Sequence, residues 1–193
     1  MDQRSEAPRG SASKVVFLDR DGVLNVEIGD YVTRVEDLRM EAGAAESVAR
    51  LTKAGWTVFV FTNQGGVGRG RMPLVALEEI HARLRSEIEA AGGSIRAIYA
   101  CIHHPDAGCD CRKPKAGLLK QAASEHAIDL TGAFIIGDSP RDIEAGVAVG
   151  AETILVLTGK TKTYEAGTFP SPQPRHVFES LRTATDWLLA LTP

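Results

Sequence analysis

Five short apolar runs constrain the fold of this 193-residue chain more than any other feature. They are Lys14–Leu18, Thr57–Phe61, Ile95–Cys101, Ala133–Ile136 and Thr153–Leu157. Each has the length of a strand, and Val, Ile and Phe dominate most of them, as in strands buried on both faces. Between them lie stretches with helical spacing. Ala44, Ala45, Val48 and Leu51 form one stripe, ended by Gly55. Pro73 opens another, with Leu77, Ile80, Leu84 and Ile88 as its buried positions. Glu78, Glu79, Arg83, Arg85 and Glu87 fall on its other sides. Gly117–His126, Asp142–Val149 and Glu179–Leu191 read as further helices, and Thr158–Arg175 as loop. This alternation predicts an α/β fold: a three-layer, Rossmann-like parallel sheet with helices on both faces and right-handed crossovers.

Residues 14–193 are expected to form a single domain, with 1–13 as a flexible, polar N-terminal tail. The tail lacks the apolar centre of a secretory signal, and no apolar run reaches membrane-spanning length. The formal net charge of -3 supplies no attraction to nucleic acid or anionic lipid. The expectation is therefore a cytoplasmic monomer without nucleic-acid or membrane partners.

In sheets of this kind, ligands bind beyond the carboxyl ends of the strands, where the strand order reverses. Polar, chemically able residues follow the strands here. After the first comes Asp19-Arg20-Asp21-Gly22-Val23-Leu24-Asn25. A turn at Gly22 lets the two carboxylates converge on one ligand, and magnesium is a natural partner, although a simple turn pair fits as well. After the second comes Thr62-Asn63-Gln64-Gly65-Gly66-Val67-Gly68-Arg69-Gly70, whose hydroxyl, amide and glycine N–H groups can cradle a phosphate or merely form a turn. After the fourth comes Gly137-Asp138-Ser139-Pro140-Arg141-Asp142. Asp138 can complete a magnesium site with Asp19. Asp142, at a helix start, suits either ligation or the orientation of its neighbours. In Arg112-Lys113-Pro114, Lys113 could neutralise a phosphoryl oxygen, or the two cations could be solvated. Together these four segments favour phosphate chemistry.

Cys101, His103, Cys109 and Cys111 offer three thiolates and an imidazole, the donor set of a closed, structural zinc site. An odd cysteine count without a signal segment argues against a disulfide framework. His104 is an alternative ligand to His103. His81, His126 and His176 stand alone.

In order and spacing, the four segments resemble the haloacid dehalogenase superfamily of phosphotransferases from Val15 to Leu157. The cysteine loop running into Arg112-Lys113-Pro114 looks like the subgroup of heptose-bisphosphate phosphatases and histidinol-phosphatases. Asn25, Arg69-Gly70 and Gly29-Asp30-Tyr31-Val32 resemble the heptose branch. The short cysteine loop is also seen in the histidinol branch, and Ser139 stands where some heptose enzymes carry lysine. The resemblance implies that Asp19 is the nucleophile and Asp21 the acid and base. Magnesium would be held by Asp19, Asp138 and the backbone carbonyl of Asp21. Thr62 and Asn63 would bind phosphoryl oxygens and Lys113 would neutralise their charge. Glu27, Tyr31, Gln64, Gly65 and Arg112 would contact the rest of a small phosphorylated sugar. The expected reaction is loss of the 7-phosphate from heptose 1,7-bisphosphate. The other readings are a histidinol-phosphatase, an inactive zinc-stabilised interaction module, and a mutase. The last is disfavoured because no segment is long enough for a large cap that would exclude water.

Overall fold

The computed structural model describes residues 14–191, so the expected tail at 1–13 lies outside the described residues. The apolar runs become strands β1 (Val15–Leu18), β2 (Thr57–Asn63), β3 (Ala97–Cys101), β4 (Phe134–Gly137) and β5 (Glu152–Val156). A sixth, β6 (His176–Phe178), was not expected. It is a half-buried edge strand of three residues, too short to show a period. The order is β3-β2-β1-β4-β5-β6, and every pairing is parallel.

The helices are α1 (Ala44–Lys53), α2 (Gly65–Gly68), α3 (Leu74–Ala90), α4 (Gly117–His126), α5 (Pro140–Val147) and α6 (Leu181–Ala190). Alternate strand residues face opposite layers. Val16 and Leu18 of β1 pack with Val48, Leu84 and Leu188 from α1, α3 and α6. Phe17, between them, joins Phe59, Phe61 and Leu119 on the other face. The Phe17 and Phe59 rings stack with centroids 5.0 Å apart. The predicted stripe of α3 is fully buried, as its spacing requires.

Three helix starts differ from expectation, one of them that of α6, which begins at Leu181 behind its Ser180 cap, two residues after the expected Glu179. The turn α2 forms within the glycine segment that read as loop. Helix α5 begins at Pro140, two residues early, because proline suits the first helical position and Asp142 three residues after the cap closes it. The Asp142 carboxylate accepts from Ser139 N (3.1 Å) and Ser139 Oγ (2.7 Å).

The strand order reverses at β1 and β4. The crevice beyond their carboxyl ends lies between Asp19, just after β1, and Asp138, just after β4. No helix among the described residues is long and apolar enough to cross a membrane.

Candidate active site

At the crevice, Asp19, Asp138 and Asp142 each offer an oxygen, and these oxygens lie within 4.8 Å of one another. Among them reaches Lys113, only 4% exposed, from the loop after the cysteine cluster. Its Nζ lies 2.8 Å from Asp19 Oδ2 and 2.6 Å from Asp142 Oδ1, and donates to Phe61 O at 3.0 Å. Lys113 is thus no solvated lysine. Burial works against its ammonium, but the Asp142 and Asp19 carboxylates outweigh that and raise its pKa.

One ammonium does not balance three buried carboxylates. Burial pushes Asp19 up to about 8; the Lys113 charge pulls it down, while Asp142, Asp138 and Asp21 push it further up. Asp138 is driven up to about 6, mainly by burial and by Asp142, against the pull of the Lys160 backbone N–H. Hard oxygen donors that repel one another fit a divalent cation such as magnesium, which would hold them charged.

The glycines nearby are shaped by Asp138. A Cβ on Gly159 would stand 1.9 Å from Asp138 Oδ2, and one on Gly22 would stand 2.5 Å from it. Gly22 also has a positive φ of 80°. The segment after β5 closes over both: Thr158 Oγ1 donates to Gly22 O at 2.5 Å, and Lys160 N donates to Asp138 Oδ2 at 2.6 Å.

Asp21 has a different environment from Asp19. Its Oδ1 accepts from Arg20 Nη2 (2.8 Å), Arg20 Nε (3.2 Å) and Asn25 Nδ2 (2.9 Å), and its Oδ2 from Gln64 Nε2 (2.8 Å). Burial would raise its pKa, but the Arg20 charge and these hydrogen bonds hold it below the usual carboxylate value. Arg20 is itself fully buried, and its Nη1 lies 3.4 Å from His81 Nε2. Burial, and then the Arg20 charge, push His81 down to about 4, so the ring beside the guanidinium is neutral. The Asp21 carboxylate does not join the cluster of Asp19, Asp138 and Asp142.

The cleft above has a volume of about 380 Å³ and opens to solvent. Of the expected site residues, Asp19, Asp21, Glu27, Tyr31, Thr62, Asn63, Arg112 and Lys113 line it. Gln64 and Gly65 do not, and Asp138 lies beneath the cleft floor, 1% exposed. Gln64 is buried behind Thr62, and Gly65 makes room for Arg112, whose Nη1 would be 3.0 Å from a Cβ there. Asn63 lines the cleft, but its amide is engaged: Oδ1 accepts from Lys113 N (3.0 Å), and Nδ2 donates to Lys113 O (3.1 Å). It holds Lys113 in place.

Sequence reasoning missed Lys160, Arg71 and Arg141 on the rim, and reached Arg69 there only as part of the Gly65–Gly70 loop. Lys160 Nζ lies 3.3 Å from Glu27 Oε2 across the cleft mouth. Only the Arg-Gly after the glycine segment and the Arg beside Pro140 were visible in the sequence, and neither signals a direction.

Beside the cleft, the cysteine loop brings its four donors together. Cys101 Sγ is 3.6 Å from Cys109 Sγ and 3.8 Å from His103 Nδ1. Cys111 Sγ is 3.4 Å from Cys109 Sγ and 3.1 Å from His103 Nδ1. Such separations and this donor set fit one tetrahedral zinc ion. His104 points elsewhere; its Nδ1 accepts from Asp106 N at 3.2 Å. The last cysteine is followed directly by Arg112 and Lys113, so the cluster sits at the root of both cleft cations.

A family model described as HAD-hydrolase-like matches residues 110–184. The D-glycero-beta-D-manno-heptose-1,7-bisphosphate 7-phosphatase of Pseudomonas putida is 46% identical over 87% of this chain and 95% of its own length. The enzyme of the same name from Pseudomonas aeruginosa is 42% identical over 91% and 97%. Among solved structures, D,D-heptose 1,7-bisphosphate phosphatase from B. bronchiseptica, complexed with magnesium and phosphate, superposes with a TM-score of 0.86. It is 36% identical and covers 92% of this chain and 99% of that one. A cation-lined crevice between two strand-end aspartates, and relatives at this identity along nearly their whole length, place the chain in the haloacid-dehalogenase-like phosphatase family of the heptose bisphosphate enzymes.

Proposed function

We propose that the protein hydrolyses the 7-phosphate of a heptose 1,7-bisphosphate, leaving the sugar 1-phosphate. The observation that carries this reading is the charge of the cleft. Beyond Lys113 at the reacting end, Arg69, Arg71, Arg112, Arg141 and Lys160 line it. Guanidinium groups pair well with phosphate oxygens, and this many suit a second phosphate at the far end of the substrate. Histidinol phosphate carries an ammonium and an imidazole instead, and offers no second anion for these cations to bind.

In this reading Asp19 attacks phosphorus and forms an O–P bond as the ester P–O bond breaks. Asp21 gives its proton to the departing sugar oxygen, then takes one from the water that splits the aspartyl phosphate and frees Asp19. The arriving phosphate dianion repels the Asp21 carboxylate and so favours its protonated form. Thr62 donates to a phosphoryl oxygen, and Lys113 neutralises the charge spread over the others. Magnesium held by Asp19, Asp138 and the backbone carbonyl of Asp21 would screen the anionic nucleophile from the phosphate. Asp142 serves as the second anchor of Lys113. The zinc site keeps the base of Arg112 and Lys113 in one geometry.

The test is phosphate release, with magnesium, from heptose 1,7-bisphosphate and from histidinol phosphate, beside the Asp19→Asn variant. Turnover of the bisphosphate that is lost in the variant supports the proposal. Preference for histidinol phosphate keeps the chemistry and refutes the substrate. No release from either, by the folded, metal-loaded protein, refutes both.

A further inference from the structure

Gln64 was expected to touch the substrate, but its side chain is committed elsewhere. It is 1% exposed, and its Nε2 donates to Thr62 Oγ1 at 2.9 Å and to Asp21 Oδ2 at 2.8 Å. An amide nitrogen carries two hydrogens, so both are spent. The opposite orientation would set the amide oxygen against the Asp21 carboxylate, which fixes the group as described. Each partner has a consequence. The Thr62 hydroxyl receives a hydrogen bond and keeps its own proton, and among the described residues it donates that proton to no protein acceptor. On Asp21, Arg20 and Asn25 occupy Oδ1, whereas Oδ2 takes Gln64 alone and retains a free lone pair. Thr62 and Asp21 both line the cleft.

We propose that Gln64 is a positioning residue, one amide that fixes the Thr62 hydroxyl, on the phosphoryl side, against Asp21 Oδ2, on the leaving-group side. The proposal rests on the reading of Asp21 as the proton donor. It has a signature that mere space-filling lacks. A sugar alkoxide must be protonated as it leaves, while 4-nitrophenolate departs without help. Misplacing Asp21 Oδ2 should therefore penalise sugar esters far more than aryl esters.

The experiment compares Gln64→Met, close in volume but without the amide, with the unmodified holoenzyme on heptose 1,7-bisphosphate and 4-nitrophenyl phosphate. The expected result is a kcat/KM on the sugar ester lower by about 100-fold, the cost of an ångström-scale misplacement; kcat/KM ends at formation of the aspartyl phosphate and so leaves out the water step that both esters share. On the aryl ester kcat/KM should fall by less than about tenfold. Equal losses on both esters, or no loss on either, overturn the proposal. Gln64→Glu is the second variant if Gln64→Met folds poorly: it keeps the length but puts a carboxylate against Asp21, and the same selective loss is expected. Asp21→Asn is the control. If it shows no dependence on the leaving group, the reading of Asp21 is what has failed.

Discussion

The carboxylate centre and the cysteine cluster sit on neighbouring loops, yet they are held together by opposite means. Asp19, Asp138, Asp142 and Lys113 are nearly sealed from solvent, at the ends of central strands and at the start of a helix capped by Asp142 itself. Backbone and side-chain hydrogen bonds keep their positions, so the site is assembled by the fold. The cysteine loop has little apolar core; only Cys101 is fully buried, and His103 is exposed. Its four donors meet because a metal can join them. One site stores electrostatic repulsion that the core withstands, and the other would take its shape from the zinc ion its donors fit. The two are coupled by adjacency, since Cys111 leads directly into Arg112 and Lys113.

The largest effect should come from breaking the carboxylate centre. Asp19→Asn should lower phosphate release by about 10⁴-fold or more, the scale seen when a nucleophile is removed. Stability should move the other way. The folded-state pKa of Asp19 lies above its ordinary value, so in metal-free protein its ionisation costs stability progressively as pH rises from about 4 to about 8. Melting curves across that window should show a decline for the metal-free native chain and a flatter profile for Asp19→Asn. Magnesium should flatten the native profile too. Equal slopes with and without the Asp19 carboxylate would contradict the idea that this centre is built at the expense of stability.

Stripping zinc, or the Cys109→Ser change, should do the reverse: shape is lost first and chemistry follows. A cost of about 3 kcal/mol, modest for a structural zinc site, would lower Tm by roughly 6–12 °C in a chain of this size. Activity should fall as the Arg112-Lys113 segment loosens, and zinc should restore both. A chelated protein with unchanged Tm and turnover would show that the loop stands without its metal.

Much of this contrast was legible in the sequence because it is local. Asp19 and Asp138 each directly follow a recognisable strand, whose end dictates where they point, and Cys101 ends another, with Cys109 and Cys111 in the loop just behind it. What stayed hidden depends on contacts between distant segments. Lys160 lies in a stretch that reads as plain loop, and only the return of that loop over Gly22 and Asp138 brings it to the cleft. Arg20 looks like a surface cation between two acids, but the strand end buries it against Asp21 and His81. The amide of Asn63 suits phosphate equally well on paper; the structure spends it on the Lys113 backbone. β6 escaped because three residues carry no period.

A smaller effect is expected at the rim. Lys160 contributes its N–H to Asp138 through the backbone and its ammonium to the cleft mouth through the side chain. Lys160→Met removes only the second. KM for the bisphosphate should rise by about tenfold, one charge-assisted contact, with kcat nearly unchanged. A simple sugar monophosphate should be affected less. Equal changes on both substrates would indicate that the lysine serves the metal end instead.

The smallest effect should come from Lys115, two residues beyond Lys113. Charge and residue type do not separate the two lysines, which flank the same proline; only the Arg112-Lys113-Pro114 motif singles out Lys113. Lys113 is folded into the carboxylate centre, whereas Lys115 is half exposed and pairs with Asp110, whose side chain is almost fully exposed. The Lys115 ammonium also donates to Gly108 O at 2.9 Å, so it laces the outer turn of the cysteine loop. An ion pair in open water loses most of its attraction to solvent screening, and a zinc ion on the four donors would fix the same loop from inside. Lys115→Ala should therefore keep turnover within about twofold and Tm within about 2 °C of the native protein. In the zinc-stripped protein, where the lacing is no longer redundant, the same change should cost more. Lys113→Ala should fall by about 100-fold or more in turnover in either state, because it leaves Asp142 buried without its partner and removes the charge that faces the phosphoryl group. If Lys115→Ala proved as damaging as Lys113→Ala with zinc bound, the metal would not be what shapes this loop.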